Sequence, residues 1–305
     1  MKIGLDIGGT KTAAVLIDEQ GGILQEVTLP TGYGADGVLT SAIGAIDELC
    51  ALAGITTASL SSIGVGIPGV VDSTTGVVSH AVNLGLHSFD LAGELATRTG
   101  TRVDIENDVN AAALGVFHLM ADDSITSMAY LNLGTGLAAG LVLDGRLWRG
   151  SRGTAGEIGH IPVDPMGGEC ACGQRGCLEL SASGSAVARL WPSDHPRPLE
   201  ALFDAAAAGN PDAIAVQAKL IENIAAAVRV LVLPIDVDVL VIGGGMSALG
   251  DPLLSAVRAV LDGWASGSPF LDSLDLSSRV RLAPTRFSAA AVGAALAGDA
   301  AVLAE

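Results

Sequence analysis

The stretch that most constrains this chain runs from residue 153 to residue 179 and reads GTAGEIGHIPVDPMGGECACGQRGCLE. It contains four side chains that bind zinc well: His160, Cys170, Cys172 and Cys177. Zinc takes four tetrahedral nitrogen or sulfur ligands, and a closed set of this kind is typical of a structural metal site. Four unrelated residues, or a disulfide, are the alternatives. Three of the four cysteines of the chain fall in this stretch, and their clustering favours metal binding.

Two glutamates flank the metal ligands, Glu157 before them and Glu179 after them. A carboxylate accepts hydrogen bonds from two sugar hydroxyls at once, so two carboxylates beside an ordered loop suit the binding of a polyol. A solvated surface charge is the alternative for each glutamate. The glycine-rich, loop-like segment favours the functional interpretation, because binding residues concentrate in loops.

The pattern of a strand, a glycine-threonine turn and a second strand occurs twice, first after the predicted strand 2–7 and again after the predicted strand 128–133. The turn residues are Gly8, Gly9, Thr10, Lys11 and Thr12 in the first copy, and Gly134, Thr135 and Gly136 in the second. Main-chain N–H groups that converge in such turns bind anions. A single copy is a weak signal, because ordinary tight turns have the same composition. The repetition predicts a duplicated pair of domains with a nucleotide between the halves.

Two further segments follow predicted strands. Gly243, Gly244 and Gly245 come directly after the strand 236–242, where consecutive glycines let the backbone approach a flat ligand closely. The alternative is a plain strand-to-helix turn. Asp108 follows the strand 102–106 and precedes a predicted helix, so it stands where a helix N-cap is expected. The local sequence leaves its role open between a cap and a catalytic carboxylate.

Length and charge narrow the class of protein. A chain of 305 residues favours two domains. A net charge of -17 disfavours binding to nucleic acid and to anionic membrane surfaces, whose negative charges would repel it. Half of the residues are hydrophobic but only 3% are aromatic, so the core must be built from Ala, Val, Leu and Ile.

The sequence predicts a cytoplasmic protein. Met1-Lys2 leads directly into a strand rather than into a signal peptide. The apolar stretch 228–243 is interrupted by Pro234, Asp236 and Asp238, so we do not expect it to span a bilayer. Reduced cysteines grouped as metal ligands fit the cytosol.

Three motifs carry a resemblance to a known family. Residues 157–160 (EIGH) followed by residues 170–179 (CACGQRGCLE) resemble the signature of the ROK family of repressors, uncharacterised reading frames and sugar kinases. Residues 106–111 (ENDVNA) are similar to the catalytic segment of that family. The similarity covers nearly the whole chain. It implies an α/β, two-domain, actin/hexokinase-like (ribonuclease H-like) fold with a nucleotide and sugar cleft between the domains.

The resemblance also implies a domain organisation. We expect a smaller N-terminal α/β domain over residues 1–118, on which a terminal helix at 287–305 packs back. A larger C-terminal α/β domain is expected over residues 119–286, with a zinc-binding insertion at 153–180. The expected assembly is a homodimer that binds a small-molecule sugar and a nucleotide, with no nucleic acid and no membrane partner.

The activity that the resemblance implies is ATP-dependent phosphorylation of a hexose hydroxyl, with glucose as the first expectation. Fructose, mannose, N-acetylglucosamine and N-acetylmannosamine remain open as acceptors. The implied cofactors are ATP, Mg²⁺ and structural Zn²⁺. Asp108 is the implied catalytic base, and Asp6 would orient Mg²⁺ through water.

The resemblance assigns the remaining site residues as well. Sugar-binding residues are Gly69, Asn83, Asn107, Asp108, Glu157, His160 and Glu179. The residues of the two glycine turns would hold the phosphates, together with Asp6, and Gly243, Gly244 and Gly245 would hold the adenosine. His160 would serve both zinc and sugar through different ring nitrogens.

One departure and one competing class stand beside this interpretation. Ala138-Ala139 follow the second turn where the family usually has further glycines, and their methyl groups either crowd the phosphate side or stiffen the strand. The competing class is a non-catalytic, sugar-responsive regulator. Such regulators carry a helix-turn-helix before the first strand, and with that strand beginning at Lys2 we expect the enzyme instead.

Overall fold

The computed structural model describes residues 1–284 and 288–298. The strands are β1 (Lys2–Ile7), β2 (Lys11–Ile17), β3 (Ile23–Pro30), β4 (Ser62–Ile67), β5 (Val70–Asp72), β6 (Val77–Ala81), β7 (Leu86–Asp90), β8 (Val103–Asn107), β9 (Met128–Leu133), β10 (Leu137–Leu143), β11 (Arg146–Leu147), β12 (Val239–Gly243) and β13 (Val280–Leu282). The helices are α1 (Gly34–Ala53), α2 (Leu91–Thr99), α3 (Asp108–Met120), α4 (Glu179–Ala182), α5 (Gly184–Leu190), α6 (Pro198–Ala207), α7 (Pro211–Ile235), α8 (Asp251–Ser266), α9 (Pro269–Asp272), α10 (Leu276–Arg279) and α11 (Ala289–Ala297).

Two five-stranded sheets have the same strand order. The first is β3-β2-β1-β4-β8 and the second is β11-β10-β9-β12-β13. In the first, β1 is antiparallel to β2 and parallel to β4, and β4 is parallel to β8. In the second, β12 is parallel to both β9 and β13. Asp6 and Asn132 each stand one residue before the end of the central strand, which agrees with the predicted internal repeat.

Burial explains which strands are central. All six residues of β4 are buried, and its sequence SIGVGI is a nearly continuous apolar run of the kind found in parallel strands covered on both faces. The edge strand β3 alternates between half-buried and exposed residues over most of its length. The carboxyl ends of the central parallel strands therefore lie in the middle of one edge of each sheet, where ligands bind in open α/β sheets.

The chain divides into two compact units. Unit 1 comprises residues 1–124, 140–155 and the described part of 284–305, and unit 2 comprises residues 125–139 and 156–283. The boundary at residue 118 stays a prediction. Residues 140–155, which the sequence assigned to the larger domain, belong to unit 1. The terminal helix was predicted over 287–305, of which residues 287 and 299–305 lie outside the described residues.

A third sheet, β5-β6-β7, was not predicted. Within it, Val70–Asp72 form β5 and pair antiparallel with β6. Helix α2 begins at Leu91, because the Asp90 carboxylate accepts the main-chain N–H of Gly93 at 2.9 Å and caps the helix there. Among residues 1–284 and 288–298, no helix combines the length and apolar character needed to cross a membrane.

The packing of α11 on α3 is a contact between main chains. A Cβ atom added to Gly293 would overlap the carbonyl oxygen of Ala111, and one added to Gly115 would overlap that of Ala289. Both helices lie in unit 1, and α11 also packs on β1 and β4. Glycine is required at these positions because the backbones approach too closely for any side chain.

We expect that Gly293→Ala destabilises the protein by about 1–3 kcal/mol, the usual cost of overpacking a core. The new methyl group meets main-chain atoms of Ala111 and Gly115, which cannot move aside independently. Alanine favours the helix by only roughly 0.8–1 kcal/mol over glycine, so propensity does not reverse the sign. Urea unfolding of the variant and the wild type measures the difference.

Gly263→Ala is the matched control. Gly263 is an exposed residue of α8, and within the described chain no heavy atom beyond its own helix turn lies within 4 Å of a Cβ placed there. The free energy of unfolding of this variant should rise by about 0.5–1 kcal/mol, because alanine loses less conformational entropy on folding than glycine does. Equal losses in both variants would contradict the packing argument.

Candidate active site

The first glycine turn closes on itself at the end of β1. The Gly8 N–H donates to the Lys11 carbonyl at 3.0 Å, and the Thr31 N–H donates to the Thr10 carbonyl at 3.1 Å. Thr10 and Lys11 are exposed, whereas Thr12 is fully buried and its hydroxyl lies 2.8 Å from that of Thr31. The hydroxyl of Thr12 is therefore engaged within the protein, which does not favour its predicted contact with a nucleotide.

Asp6 lies in β1 directly before this turn, and the residue is half-buried. Its Oδ2 accepts a hydrogen bond from the Ser288 hydroxyl at 3.2 Å. Burial raises the pKa of Asp6 above its ordinary value, and the Ser288 hydrogen bond and the Lys11 charge only partly oppose this. The carboxylate is thus held in a setting where a bound cation would stabilise its charged form. Ser288 was not predicted from the sequence.

The junction of β8 and α3 holds the predicted catalytic segment. Asn107 is the N-cap of α3, and its Oδ1 accepts the N–H groups of Val109 at 3.0 Å and Asn110 at 3.3 Å. The N-cap position therefore belongs to Asn107, and Asp108 is the first residue of the helix. The Oδ1 atom of Asp108 also accepts the Val109 N–H at 3.0 Å. The Asn107 amide donates to the Gly69 carbonyl at 3.3 Å.

Three of the predicted segments of unit 1 meet at one edge of the first sheet. Because β1, β4 and β8 are parallel neighbours, the glycine turn, Gly69 and Asp108 all follow the carboxyl ends of adjacent strands. Asn83 lies on the 3₁₀ turn Val82–Leu84, and a Cβ added to Gly9 would be 3.5 Å from the Cβ of Asn83. Unit 1 thus carries the following predicted residues: Asp6, Gly8, Gly9, Thr10, Lys11, Thr12, Gly69, Asn83, Asn107 and Asp108.

The predicted metal ligands converge in unit 2. Ligand atoms of His160, Cys170, Cys172 and Cys177 all lie within 4.8 Å of one another. The Sγ atoms of Cys172 and Cys177 are 3.6 Å apart, and Cys170 Sγ is 3.8 Å from His160 Nδ1. Two sulfur ligands of one tetrahedral zinc lie about 3.8 Å apart when each Zn–S bond is about 2.3 Å. The donor set and its spacing therefore fit a zinc ion.

A disulfide does not fit this cluster. All four cysteines of the chain are described and are free thiols, and the separation of 3.6 Å between Cys172 and Cys177 far exceeds a covalent S–S bond of about 2.05 Å. The Gln174 amide donates to Cys172 Sγ at 3.4 Å, and this bond above all lowers the pKa of the Cys172 thiol to about 6. A thiolate is the form that binds metal.

The loop that carries Glu157 packs on the main chain of β10. The Ala139 N–H donates to the Gly156 carbonyl at 2.8 Å. Gly156 has a φ of 94°, and a Cβ there would overlap the Ala139 carbonyl oxygen. Ala139 itself is 3% exposed, so its methyl group packs inside the unit. The burial of Ala139 favours the interpretation that it stiffens the strand.

Glu179 links the metal-binding stretch to the second glycine turn. Its Oε2 accepts the N–H of Leu137, the first residue of β10, at 3.0 Å. The turn is closed by the Gly134 N–H, which donates to the Gly136 carbonyl at 3.1 Å, and the Gly184 N–H donates to the Gly134 carbonyl at 2.8 Å. One carboxylate oxygen of a predicted sugar-binding residue therefore helps to shape the predicted phosphate turn.

The three consecutive glycines follow β12, beside the second turn at the end of its parallel neighbour β9. A Cβ added to Gly243 would overlap the Tyr130 side chain, and one added to Gly244 would be 2.6 Å from the carbonyl of Leu133. Packing against β9 thus explains two of the glycines without a ligand. In the described chain, no heavy atom outside its immediate neighbours lies within 4 Å of a Cβ at Gly245, which leaves room there for a flat ligand.

Unit 2 thus carries the remaining predicted residues. They are Gly134, Thr135, Gly136, Glu157, His160, Cys170, Cys172, Cys177, Glu179, Gly243, Gly244 and Gly245. In unit 1, two charged residues, Glu106 in β8 and Arg149, were not assigned a role from the sequence. Arg149 has no local sequence signal, because its partner is distant in the chain.

The chain belongs to the ROK family, whose model matches residues 2–299. It is 34% identical over 282 residues to a glucokinase of Halalkalibacterium halodurans, covering 86% of each chain. It is also 34% identical over 265 residues to an N-acetylmannosamine kinase of Salmonella arizonae, covering 85% of this chain and 87% of the relative. The family predicted from the motifs is confirmed.

Solved structures agree with the family. The ROK hexokinase of Thermus thermophilus superposes with a TM-score of 0.80 at 35% identity, covering 97% of this chain and 96% of that one. A ROK family glucokinase of Streptomyces griseus, in complex with glucose and AMPPNP, superposes with a TM-score of 0.77 at 30% identity, covering 96% of this chain and 97% of that one. The predicted α/β, actin/hexokinase-like fold is confirmed.

The raised pKa of Asp6 predicts how stability depends on pH. The folded state binds the Asp6 proton more tightly than the unfolded chain, so ionisation lowers stability as pH rises through the folded pKa. Asp6→Asn removes this loss. We expect the variant to gain stability relative to the wild type from acidic to neutral pH, with little difference below the ordinary value of 3.8. Urea unfolding at a series of pH values measures the trend.

Asp72→Asn is the control of opposite sign. The pKa of Asp72 is lowered, first by the Thr75 side chain and then by the N–H groups of Thr74 and Thr75. Its contribution to stability is present above the ordinary pKa and is lost as pH falls through the folded pKa. This variant should therefore lose stability at neutral pH. Parallel curves for both variants would refute the assignment for Asp6.

Proposed function

We propose that this protein is an ATP-dependent sugar kinase that transfers the γ-phosphoryl group of ATP to a hydroxyl of a hexose, with glucose as the acceptor. The observation that carries the proposal is the similarity to a glucokinase over 86% of both chains. It is supported by the glucokinase of similar fold that binds glucose and AMPPNP. The sugar kinase predicted from the sequence agrees with these relatives.

The proposed reaction requires positioning and charge neutralisation more than covalent chemistry by the protein. A sugar hydroxyl oxygen forms a bond to the γ-phosphorus, the bond between that phosphorus and the β–γ bridging oxygen breaks, and ADP leaves. The hydroxyl proton passes to the Asp108 carboxylate, which acts as the general base. Asp108 suits this role because it begins α3 at the carboxyl end of β8.

We assign the following polar groups to the sugar hydroxyls. In unit 1 these are the Asn107 amide, the Gly69 main chain and the Asn83 side chain. In unit 2, Glu157, His160 and the Oε1 oxygen of Glu179 are assigned to the sugar. The orientation of His160 supports this, because Nδ1 faces Cys170 and Nε2 is then the nitrogen assigned to a hydroxyl.

The nucleotide would be held by the glycine turns. The turns at residues 8–12 and 134–136 are assigned to the phosphates, and residues 243–245 to the adenosine, with Gly245 as the open position. Bound Mg²⁺ neutralises charge on the transferring phosphates. Asp6 is the residue assigned to hold Mg²⁺ through water, and its half-buried carboxylate beside the first turn, whose pKa is raised, fits such a partner.

N-Acetylmannosamine is the second candidate acceptor. The specific observation in its favour is the N-acetylmannosamine kinase that is 34% identical over 85% of this chain. The two acceptors differ at the 2-position, where one carries a hydroxyl and the other an acetamido group.

The predicted homodimer and the cytoplasmic location stay predictions.

ADP release with glucose, and with N-acetylmannosamine as the comparison sugar, tests the proposal. We expect turnover with glucose and a fall in kcat of roughly 10²–10⁴-fold in Asp108→Asn, because the amide cannot take up a proton. The variant should remain folded, since Asn107 is the cap. Loss of a negative charge in the first turn costs only about 0.3–1 kcal/mol.

Asp104→Asn, in the strand β8 that leads to Asp108, is the matched control. Asp104 pairs with Arg102 at 2.9 Å on the surface, away from the proposed chemistry. The control should keep the wild-type kcat. If Asp108→Asn folds, binds glucose and turns over at the wild-type rate, another residue is the base. If no hexose is turned over by the wild type, the proposed function is wrong.

We also propose that His160, Cys170, Cys172 and Cys177 bind structural zinc, which orders the loop between Glu157 and Glu179. Metal analysis should find about one zinc per chain. Cys172→Ala should lower the zinc content and the melting temperature and raise the KM for sugar. The substitution removes the Cys172 Sγ atom, which lies 3.6 Å from the Cys177 Sγ atom.

Cys50→Ala is the control for this experiment. Cys50 is buried in the core formed by α1 and the first sheet, so its loss should lower the melting temperature without changing the zinc content or the KM for sugar. Undiminished sugar affinity in a verified metal-free protein would contradict the ordering role of the metal.

A further inference from the structure

A buried carboxylate lies two residues before Asp108, the proposed general base. Glu106 is 4% exposed, and its two oxygens accept four hydrogen bonds. Oε2 accepts from Nε of Arg149 at 2.7 Å and from its Nη2 at 2.6 Å. Oε1 accepts from the Asn107 N–H and from the Asn110 side-chain amide, each at 3.0 Å. The carboxylate is therefore fully engaged on both sides.

The geometry of the pair requires arginine. Two nitrogens of one guanidinium converge on one carboxylate, and the Arg149 side chain is only 19% exposed. The planar fork of arginine is pre-organised for such contacts, whereas a lysine ammonium offers a point charge on a flexible stem. Lysine at this position would keep the charge but lose the fixed geometry.

The consequence of this network falls on Asn107 and Asp108. Glu106 holds the main-chain N–H of Asn107, and the Asn107 side chain in turn caps α3 and reaches the Gly69 carbonyl. Asp108 follows as the first residue of that helix. A shift of the Glu106 carboxylate would therefore move the peptide that sets the direction of the Asp108 side chain.

Arg149 is anchored in its own loop as well. Its carbonyl accepts the N–H of Ala155 at 3.1 Å, which closes the loop between them. The Arg149 guanidinium contacts Oε2 of Glu106, whereas the Asn107 N–H donates to Oε1 of the same carboxylate. A buried pair tied at both ends has one arrangement rather than several.

We propose that Arg149 is a positioning residue for phosphoryl transfer, which acts through Glu106 to hold Asp108 at the acceptor hydroxyl. This inference rests on the proposed function. Arg149 does not take up the proton and does not touch the phosphates in this assignment. Its removal should therefore lower kcat, while the KM for ATP and the Kd for sugar change little.

The test compares Arg149→Lys with the wild type in the ADP-release assay. We expect kcat to fall by about 10–100-fold, the size of effect that a misplacement of about 1 Å produces. Arg102→Lys is the matched control, because Arg102 pairs with Asp104 in the same unit but its side chain is 54% exposed. That control should keep the wild-type kcat.

The double variant Arg149→Lys/Asp108→Asn distinguishes positioning from a merely structural role. If Arg149 acts through Asp108, the double variant should be no slower than Asp108→Asn alone, because residues that act as one unit are not additive. Multiplied losses would overturn the proposal, and so would an unchanged kcat in Arg149→Lys.

A second variant covers the case in which Arg149→Lys folds poorly. In Arg149→Ala, guanidinium added below the unfolding range should restore part of kcat by occupying the vacated site beside Glu106, and it should restore none in Asp108→Asn. Failure of this rescue would overturn the proposal. An inactive wild type would overturn the proposed function and this inference together, whereas an active wild type with unaffected Arg149 variants overturns this inference alone.

Discussion

The contact of α11 with α3 through bare main chain is the constraint on which unit 1 depends. At Gly293 and Gly115 no side chain separates the two helices, and each glycine faces a main-chain carbonyl of the partner helix. A chain with 3% aromatic residues achieves close packing here by removing side chains rather than by interlocking large ones. Because α3 begins at Asp108, the same packing that completes the core also fixes the position of the helix that carries this carboxylate.

In unit 2 the corresponding constraint is the first half of β10. Its Leu137 N–H is held by Glu179, and its Ala139 N–H is held by the carbonyl of Gly156, one residue before Glu157. The Glu179 carboxylate and the residue before Glu157 are therefore both hydrogen-bonded to the strand that leaves the second glycine turn. The cysteine and histidine cluster lies between the two glutamates in the chain, and the metal ion proposed there would act on the glutamates through the geometry of the loop.

The sequence predicted features that depend on neighbours in the chain. The strand that precedes each glycine turn follows from local spacing, and both strands were predicted correctly. The four residues predicted as metal ligands lie together in the structure, and metal binding itself stays a prediction. Contacts between distant residues were not predictable, such as that of Ser288 with Asp6, 282 positions away, and of Arg149 with Glu106, 43 positions away. The strands β5 to β7 were missed because they are short and carry polar residues, so no apolar alternation marks them.

Glu106 and Asp108 show how the fold separates two nearby carboxylates into different roles. Glu106 lies in β8, and its carboxylate accepts four hydrogen bonds, two of them from Nε and Nη2 of Arg149. A carboxylate so engaged has no lone pair directed toward a substrate. Asp108 is only two residues away, but it has passed from the strand into the first turn of a helix, where the N–H groups and the helix dipole favour a negative charge. Environment, not residue type, thus makes one carboxylate a support and the other a candidate base.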